Sequence, residues 1–406
     1  MRQEPHTVES YRNAVLALVS AMPAESVAPA EALGRTTAEP VLAELPVPGF
    51  DNSAMDGYAV RAADLAEAAP DRPVALVALS PARAGSPLPP PLRHGEARPV
   101  MTGAPLPPGA DLVVPVECTT SGRFGDGPVV ELWGSGKANI RRRGEDVAAG
   151  STIVGRGVVL GPRDLGLIAA TRCLDVSVRR RPRVAVISTG DELSPAASPA
   201  DRVPDANSVY LCAAIAALGG EIASTRVARD DDTALREALD GAACDADLIV
   251  STGGVGPGTH DLAGRLVAAT PGGMLARVAM RPGRPQAHGR WNGVPWLALP
   301  GNPTAAFVSF ETFVRPVLER LLGLAGQTGP LAETVSVGWP GSPGSVRFVP
   351  LSVGRDADAL TVGPFAAPGG GAHSLSAMFR APLIAMVGAD TADVRAGQLV
   401  PVIQPA

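Results

Sequence analysis

Between Arg183 and Leu322 the chain repeats one pattern, in which a short apolar run passes through a polar loop into a segment of helical periodicity. Val184–Ile187 reads as a strand that ends in Ser188-Thr189-Gly190-Asp191-Glu192, and Ser208–Leu218 as a helix entered at Asn207 and stopped by Gly219-Gly220. Strand Ile222–Val227 meets the acidic turn Arg229 to Asp232, and Thr233–Leu239 is the next helix. Strand Leu248–Val250 runs into Ser251-Thr252-Gly253-Gly254-Val255-Gly256, followed by a helix over Leu262–Ala269. Trp296–Leu299 is a further strand and Thr304–Leu322 a long closing helix. Alternation sustained over about 140 residues predicts a parallel, doubly wound α/β sheet. Right-handed crossovers then carry the loop after each strand to one rim, where such folds bind ligands.

The flanks have a different texture. Thr7 to Leu45 and Arg163–Cys173 carry helical spacing, whereas Pro46 to Gly150 breaks into short β-like runs such as Pro73–Ala78, Ala110–Glu117 and Pro128–Trp133. After Gly329 short strands return, which predicts a small β barrel or sandwich. A chain of 406 residues has room for roughly two to four domains. Its formal net charge of −5 is too close to neutral for a protein that lives on nucleic acid. The N-terminal stretch lacks the apolar run of a signal peptide, and no apolar segment is long enough to span a membrane, so the expectation is a soluble, cytoplasmic protein. The four cysteines stand far apart, with no zinc or disulfide spacing.

Two glycine loops fall on the predicted rim, Ser251 to Gly256 and Pro300-Gly301-Asn302-Pro303-Thr304. Glycines let backbone N–H groups converge on an anion, and a helix start adds partial positive charge. Neither loop has Walker A or Rossmann spacing, so a P-loop NTPase or a standard dinucleotide enzyme is disfavoured. Asp191, Glu192, Asp230 and Asp261 all lie just past strands of the same sheet. As solvated turn acids or helix caps they would be ordinary; beside glycine loops they suit a hard cation such as Mg²⁺ shared with phosphate oxygens. Arginines at 141–143, with Arg277, Arg281 and Arg284, offer planar forks for anions, and Lys137 is the only lysine in the chain. No nucleophile elbow or activated cysteine is present, so covalent catalysis is not indicated. The residues by themselves describe a multidomain protein binding a phosphorylated small molecule with Mg²⁺.

Val47 to Val60 (VPGFDNSAMDGYAV) resembles the signature of the molybdopterin molybdenumtransferases, the MoeA proteins and the gephyrin E domain. Met101-Thr102-Gly103-Ala104-Pro105, Asn139 to Asp146 (NIRRRGED), Ser188 to Leu193 and Leu299 to Pro303 fit the same family in order. The resemblance implies an elongated homodimer with a helical linking and dimerisation part at 1–46 and 150–180, a β insertion at 47–149, the α/β domain at 181–326 and a C-terminal β domain at 327–406. It implies cleavage of adenylated molybdopterin with Mg²⁺ and molybdate, releasing AMP and molybdenum cofactor, at a site between the α/β domain of one subunit and the insertion of the other. Contacts with the upstream molybdopterin adenylyltransferase and with apo-molybdoenzymes are implied too.

Carried over by position, Asp56, Asp146 and Asp261 would be catalytic, and Glu192, Asp230 and Asp261 metal-holding. Thr102, Arg141, Ser188, Thr189, Gly190, Gly253, Gly254, Val255, Arg277, Arg281, Arg284, Pro300, Gly301, Asn302 and Pro303 would bind substrate. Several positions depart from the family pattern: Gly256 and Pro257 in the glycine loop, Ala206 before Asn207, Ser345 and Pro350 in the C-terminal strand, and Ala372 in a later turn. Two other readings stay open at this point, a divergent relative that binds a nucleotide or phosphorylated pterin without this turnover, and a dimeric scaffold.

Overall fold

A computed structural model describes residues 5–134, 136–194, 203–256, 261–324, 331–341, 343–356, 359–365 and 374–405. Its centre is the alternating unit, labelled here β1 (Arg183–Thr189), α1 (Ala206–Ala217), β2 (Glu221–Ala228), α2 (Asp232–Ala243), β3 (Leu248–Thr252), α3 (Leu262–Ala269), β4 (Met274–Arg277), β5 (Met280–Arg281), β6 (Pro285–Trp291), β7 (Val294–Leu299) and α4 (Pro303–Ser309). The sheet order is β2-β1-β3-β7-β6-β4. β1, β2, β3 and β7 pair in parallel, so their C-terminal ends share one rim. Both faces are covered, with Val186, Leu297, Phe310 and Phe313 on one side and Ile187, Leu239 and Trp296 on the other. That double burial is why β1, β3 and β7 read as largely apolar runs, whereas β2, at the sheet edge, is mostly exposed and carries Ser224, Thr225 and Arg226.

The sheet is not parallel throughout. β6 pairs antiparallel with both β7 and β4. Asn292 and Gly293 connect β6 to β7 with φ values of 49° and 87°, the two-residue turn that reverses a chain into a hairpin. The closing helix is also not one piece. After α4 a π-helical turn, Phe310–Val314, leads into a helix over Arg315–Leu321. Pro316 has no N–H to give the Thr312 carbonyl, and Arg12 Nε donates to that carbonyl instead at 3.2 Å. The cap of α1 is Asp205, whose side chain accepts from Ser208 N–H, and not the expected Asn207.

N-terminal to this unit, the α-helices are Val8–Leu16 and Pro162–Ala170; the second bears out the spacing at Arg163–Cys173, while Thr7 to Leu45 holds less helix than its spacing suggested. Val8, Tyr11 and Val15 pack into the α/β core. Ala24–Val27 then pairs with Val176–Arg179, and Val41–Leu42 with Thr152–Val154, so strands from before and after the insertion close on each other. The insertion holds a five-stranded sheet over its own core of Tyr58, Val114 and Leu132. The C-terminal part has a further sheet in which Val346–Asp356 pairs with Ala359–Pro364 and Leu383–Val387, and β5 of the α/β unit joins its edge beside Val346 and Arg347.

Candidate active site

A cleft of about 350 Å³ opens at the parallel rim, lined among others by Thr189, Gly190, Glu192, Asp230, Gly253, Gly254, Val255, Asp261, Pro300 and Gly301. Each of these was singled out from the sequence, and each lies at or just beyond the end of a strand. Gly256, a departure from the family pattern, also lines it, and Asn207, Thr252, Leu193 and Pro285 complete the lining without having been singled out as ligands. Asn207 Nδ2 donates to Thr252 Oγ1 at 2.9 Å and to the Gly301 carbonyl at 2.8 Å, while Thr252 Oγ1 donates to the Pro300 carbonyl at 3.0 Å. This buried network ties the two glycine loops to the start of α1. The signal for it was Asp205 to Asn207, a capping pattern that conceals a second use of the asparagine.

Glycine is required here by space as well as by φ. Gly253 has φ +99°, and a Cβ would run into the Thr189 side chain and carbonyl. Its N–H already bonds the Leu299 carbonyl at 3.0 Å, so Gly253 shapes the loop and its amide is not spare for a ligand. Gly190 has φ +151°, and a Cβ there would lie 2.6 Å from the Glu192 carboxylate, which folds back over it. A Cβ on Gly256 would sit 3.0 Å from Asp261 Oδ2. Glycine at this departure from the family pattern therefore leaves the Asp261 carboxylate uncrowded. Pro257, Gly258 and His260 lie outside the described residues, as do Gly371, Ala372 and His373.

The acids are held apart from capping duty. Asp231, not Asp230, accepts the α2 capping bond from Ala234 N–H at 2.8 Å, and Asp261 stands at the first turn of α3 without a side-chain capping bond. Asp191 and Asp230 exchange backbone-to-carboxylate bonds of 3.3 and 3.4 Å, which fixes the ends of β1 and β2 against each other. Among the described residues no group of three or more His, Cys, Asp or Glu is placed to hold a metal ion. Carboxylates that supply only part of a coordination sphere, with no thiol or imidazole among the described lining residues, fit Mg²⁺ completed by phosphate oxygens and water.

The other expected residues fall elsewhere. Ser188 is buried under the rim, and its Oγ makes no protein hydrogen bond. Asn302 caps α4, its Oδ1 accepting from Thr304 N–H at 3.0 Å, and Pro303 opens that helix. Arg281 and Arg284 line a second cleft of about 340 Å³ with Pro282, Gly283, Gly344 and Ser345. Arg277, exposed at the end of β4, lines neither cleft, although its carbonyl accepts from His6 N–H. Asp56, Thr102, Arg141 and Asp146 are exposed on the insertion and also line neither cleft.

Thr102 donates to Asp56 Oδ1 twice, from its backbone at 2.7 Å and its hydroxyl at 2.9 Å, and these bonds hold the carboxyl below its ordinary range. Asp51 accepts from Arg143 N–H and from the Arg142 guanidinium, joining the first signature segment to the arginine turn and lowering its own pKa.

Comparison with known proteins bears directly on this arrangement. Residues 6–171 match the MoeA N-terminal region (domain I and II), and residues 185–320 the probable molybdopterin binding domain. Molybdopterin molybdenumtransferase 2 of Mycobacterium tuberculosis is 36% identical over 399 residues, covering 96% of this chain and 97% of that protein. This chain belongs to the molybdopterin molybdenumtransferase family. A molybdopterin molybdenumtransferase of Nostoc is also 36% identical, over 72% of this chain and 68% of its own. The structure of a molybdopterin biosynthesis MoeA protein from Pyrococcus horikoshii superposes with a TM-score of 0.83 at 29% identity, covering 98% of each chain. No described helix of this family member is long and apolar enough to cross a membrane.

Proposed function

We propose that this chain inserts molybdate into adenylated molybdopterin, cleaving the phosphoanhydride and releasing AMP and molybdenum cofactor. The observation that carries the reading is the rim cleft itself, where glycine loops and the carboxylates of Glu192, Asp230 and Asp261 face one space in a molybdopterin molybdenumtransferase fold. In this reading the backbone around Gly190, Gly253 and Pro300-Gly301 lies against the nucleotide end of the substrate, since the glycines themselves carry no side chain there. Glu192, Asp230 and Asp261 would hold Mg²⁺. Bound Mg²⁺ would neutralise the phosphoanhydride and its leaving group.

Arg277, Arg281 and Arg284 would take the molybdate dianion and phosphate charge through guanidinium forks. Asp56, Asp146, Arg141 and Thr102 would reach the rim of a partner subunit in a homodimer. Thr102 occupies one oxygen of Asp56, which leaves Oδ2 to orient a water by accepting its hydrogen bond. The reading includes a cytoplasmic setting, receipt of substrate from the upstream adenylyltransferase, and delivery of product to apo-molybdoenzymes.

The test is AMP release by the purified protein, with molybdate and Mg²⁺ supplied or withheld. Release that requires both is expected, and chelation of Mg²⁺ should abolish it. Nucleotide binding with no release under any of these conditions would replace this reading with that of a divergent binding protein.

A further inference from the structure

The segment from Arg281 to Pro285 is the partition between the two clefts, since Arg281 to Arg284 line the second and Pro285 lines the first. Its first leg is anchored outside the α/β unit. β5 pairs with Val346 and Arg347 of the C-terminal sheet, and Val346 N–H donates to the Ala279 carbonyl at 2.8 Å. Its second leg is held by Val278 N–H, which donates to the Arg284 carbonyl at 2.8 Å, and from beneath by one side chain. Gln286 is 0% exposed, and its Nε2 donates to the Gly283 carbonyl at 2.7 Å and to Ser309 Oγ on α4 at 2.6 Å.

The amide orientation follows from its partners. Ser309 gives its own proton to the Ala305 carbonyl at 2.7 Å, so its oxygen accepts, as the Gly283 carbonyl does. The opposite end of the amide, Oε1, is buried without a protein hydrogen bond. A leucine would fill this position without leaving a polar oxygen unpartnered, and filling space is all that a purely structural role requires. The polar side chain does something else here: it seats the loop. Gly283 has φ +95°, and a Cβ on it would lie 3.1 Å from Ser309 Oγ, so the backbone is drawn close onto the helix.

We infer that Gln286, with Ser309, is a positioning residue for the Arg281–Arg284 loop and sets the anion affinity of the second cleft. This rests on the reading of Arg281 and Arg284 as anion ligands given above. Arg281 and Arg284 are exposed, and their forks bind a tetrahedral anion together only if the backbone between them is held.

The experiment measures molybdate affinity by calorimetry on the full chain, beside KM and kcat for AMP release. Gln286→Leu should weaken molybdate binding and raise KM by about tenfold, with kcat within about twofold of wild type. Ser309→Ala, which leaves the Gly283 bond, should lose about threefold, and the double variant little more than Gln286→Leu alone. Gln286→Glu supplies a readout that packing alone would not move. Its buried carboxylic acid, while protonated, can donate to the Gly283 carbonyl and restore near-normal affinity. As pH rises and the acid ionises, two acceptors face each other and affinity falls, whereas wild type shows no such transition.

Wild-type affinity in Gln286→Leu, or a Gln286→Glu variant that tracks wild type across pH, overturns the inference. Should Gln286→Leu fail to fold, the Gln286→Glu series decides. A wild-type protein that binds molybdate yet releases no AMP defeats the functional reading and leaves this one standing.

Discussion

At the sheet rim, Glu192, Asp230 and Asp261 follow three neighbouring segments of one α/β unit and line a single cleft. In the β insertion, Asp56 and Thr102 are brought together across 46 residues, and Asn52 and Arg141 across a strand pair of still greater separation, yet the group lines neither of the two clefts. The rim cleft is enclosed within one chain. The insertion presents a prepared set of side chains, with Asp56 and Asp51 already held ionised by hydrogen bonds, facing outward. In the proposed function, a cleft closed within one chain and an insertion surface open to a partner are what a reaction shared between subunits would require.

The largest effects should come from breaking either half. Asp261→Asn and Asp56→Asn are each expected to lower AMP release about a hundredfold or more, because each removes a charge placed for the reaction. Mixing the two inactive variants under conditions that exchange subunits separates shared from unshared sites. If each site takes its rim from one subunit and its insertion from the other, about a quarter of wild-type activity should return, since half the dimers are hybrids with one intact site of two. No recovery, with subunit exchange confirmed by mass spectrometry, would mean that both acids act within one chain or that the insertion takes no part.

Gly253→Ala sharpens the rim side of the comparison. A non-glycine residue at φ +99° is strained by about 1–3 kcal/mol, and here the added carbon also meets Thr189. Substrate affinity should fall roughly tenfold to a hundredfold, and thermal stability should drop with it. An alanine variant that binds normally would show that the loop is already free to move.

The rim was legible because its signals are local. β1, β3 and β7 are largely apolar runs leading into loops that carry Gly, Asp or Glu, and even the more polar β2 ends at an acidic turn, so fold, edge and acids can be read close to one another. The antiparallel β6–β7 hairpin was missed although Asn292-Gly293 announces a tight turn, because β6 (PQAHGRW) has Gln, His and Arg where its neighbours are apolar. Gln286 was passed over for the same reason. Its partner Ser309 is 23 residues away, and no periodicity connects a buried amide to a helix hydroxyl. The π turn at Phe310–Val314 depends on Pro316 together with Arg12, residues some 300 positions apart, so the sequence suggested an unbroken helix. Asp56, Thr102 and Asp146 were found only through the family's signature, since exposed polar residues in loops carry no pattern that composition or spacing could reveal; Arg141 stood out only as part of a run of arginines.

The smallest effect tests how the insertion prepares its half. The Thr102 backbone N–H is the larger cause of the lowered Asp56 pKa and the Thr102 hydroxyl the next. Thr102→Val keeps the first and removes the second, with little change of shape. Asp56 should then titrate at a higher pH than in wild type, still below the ordinary carboxylate value, as followed by the ¹³C shift of its carboxyl group. The sign follows from linkage: bonds to the ionised form depress the pKa, so their preference for the carboxylate is present above the ordinary value and is lost as pH falls through the depressed one. At neutral pH the carboxylate stays charged in both proteins, so KM should change by only about twofold to threefold through poorer orientation. An unchanged Asp56 titration would mean that the backbone N–H alone holds the carboxylate. The insertion would then owe its readiness to the fold of Met101 to Pro105, and the threonine side chain would be left to meet substrate directly.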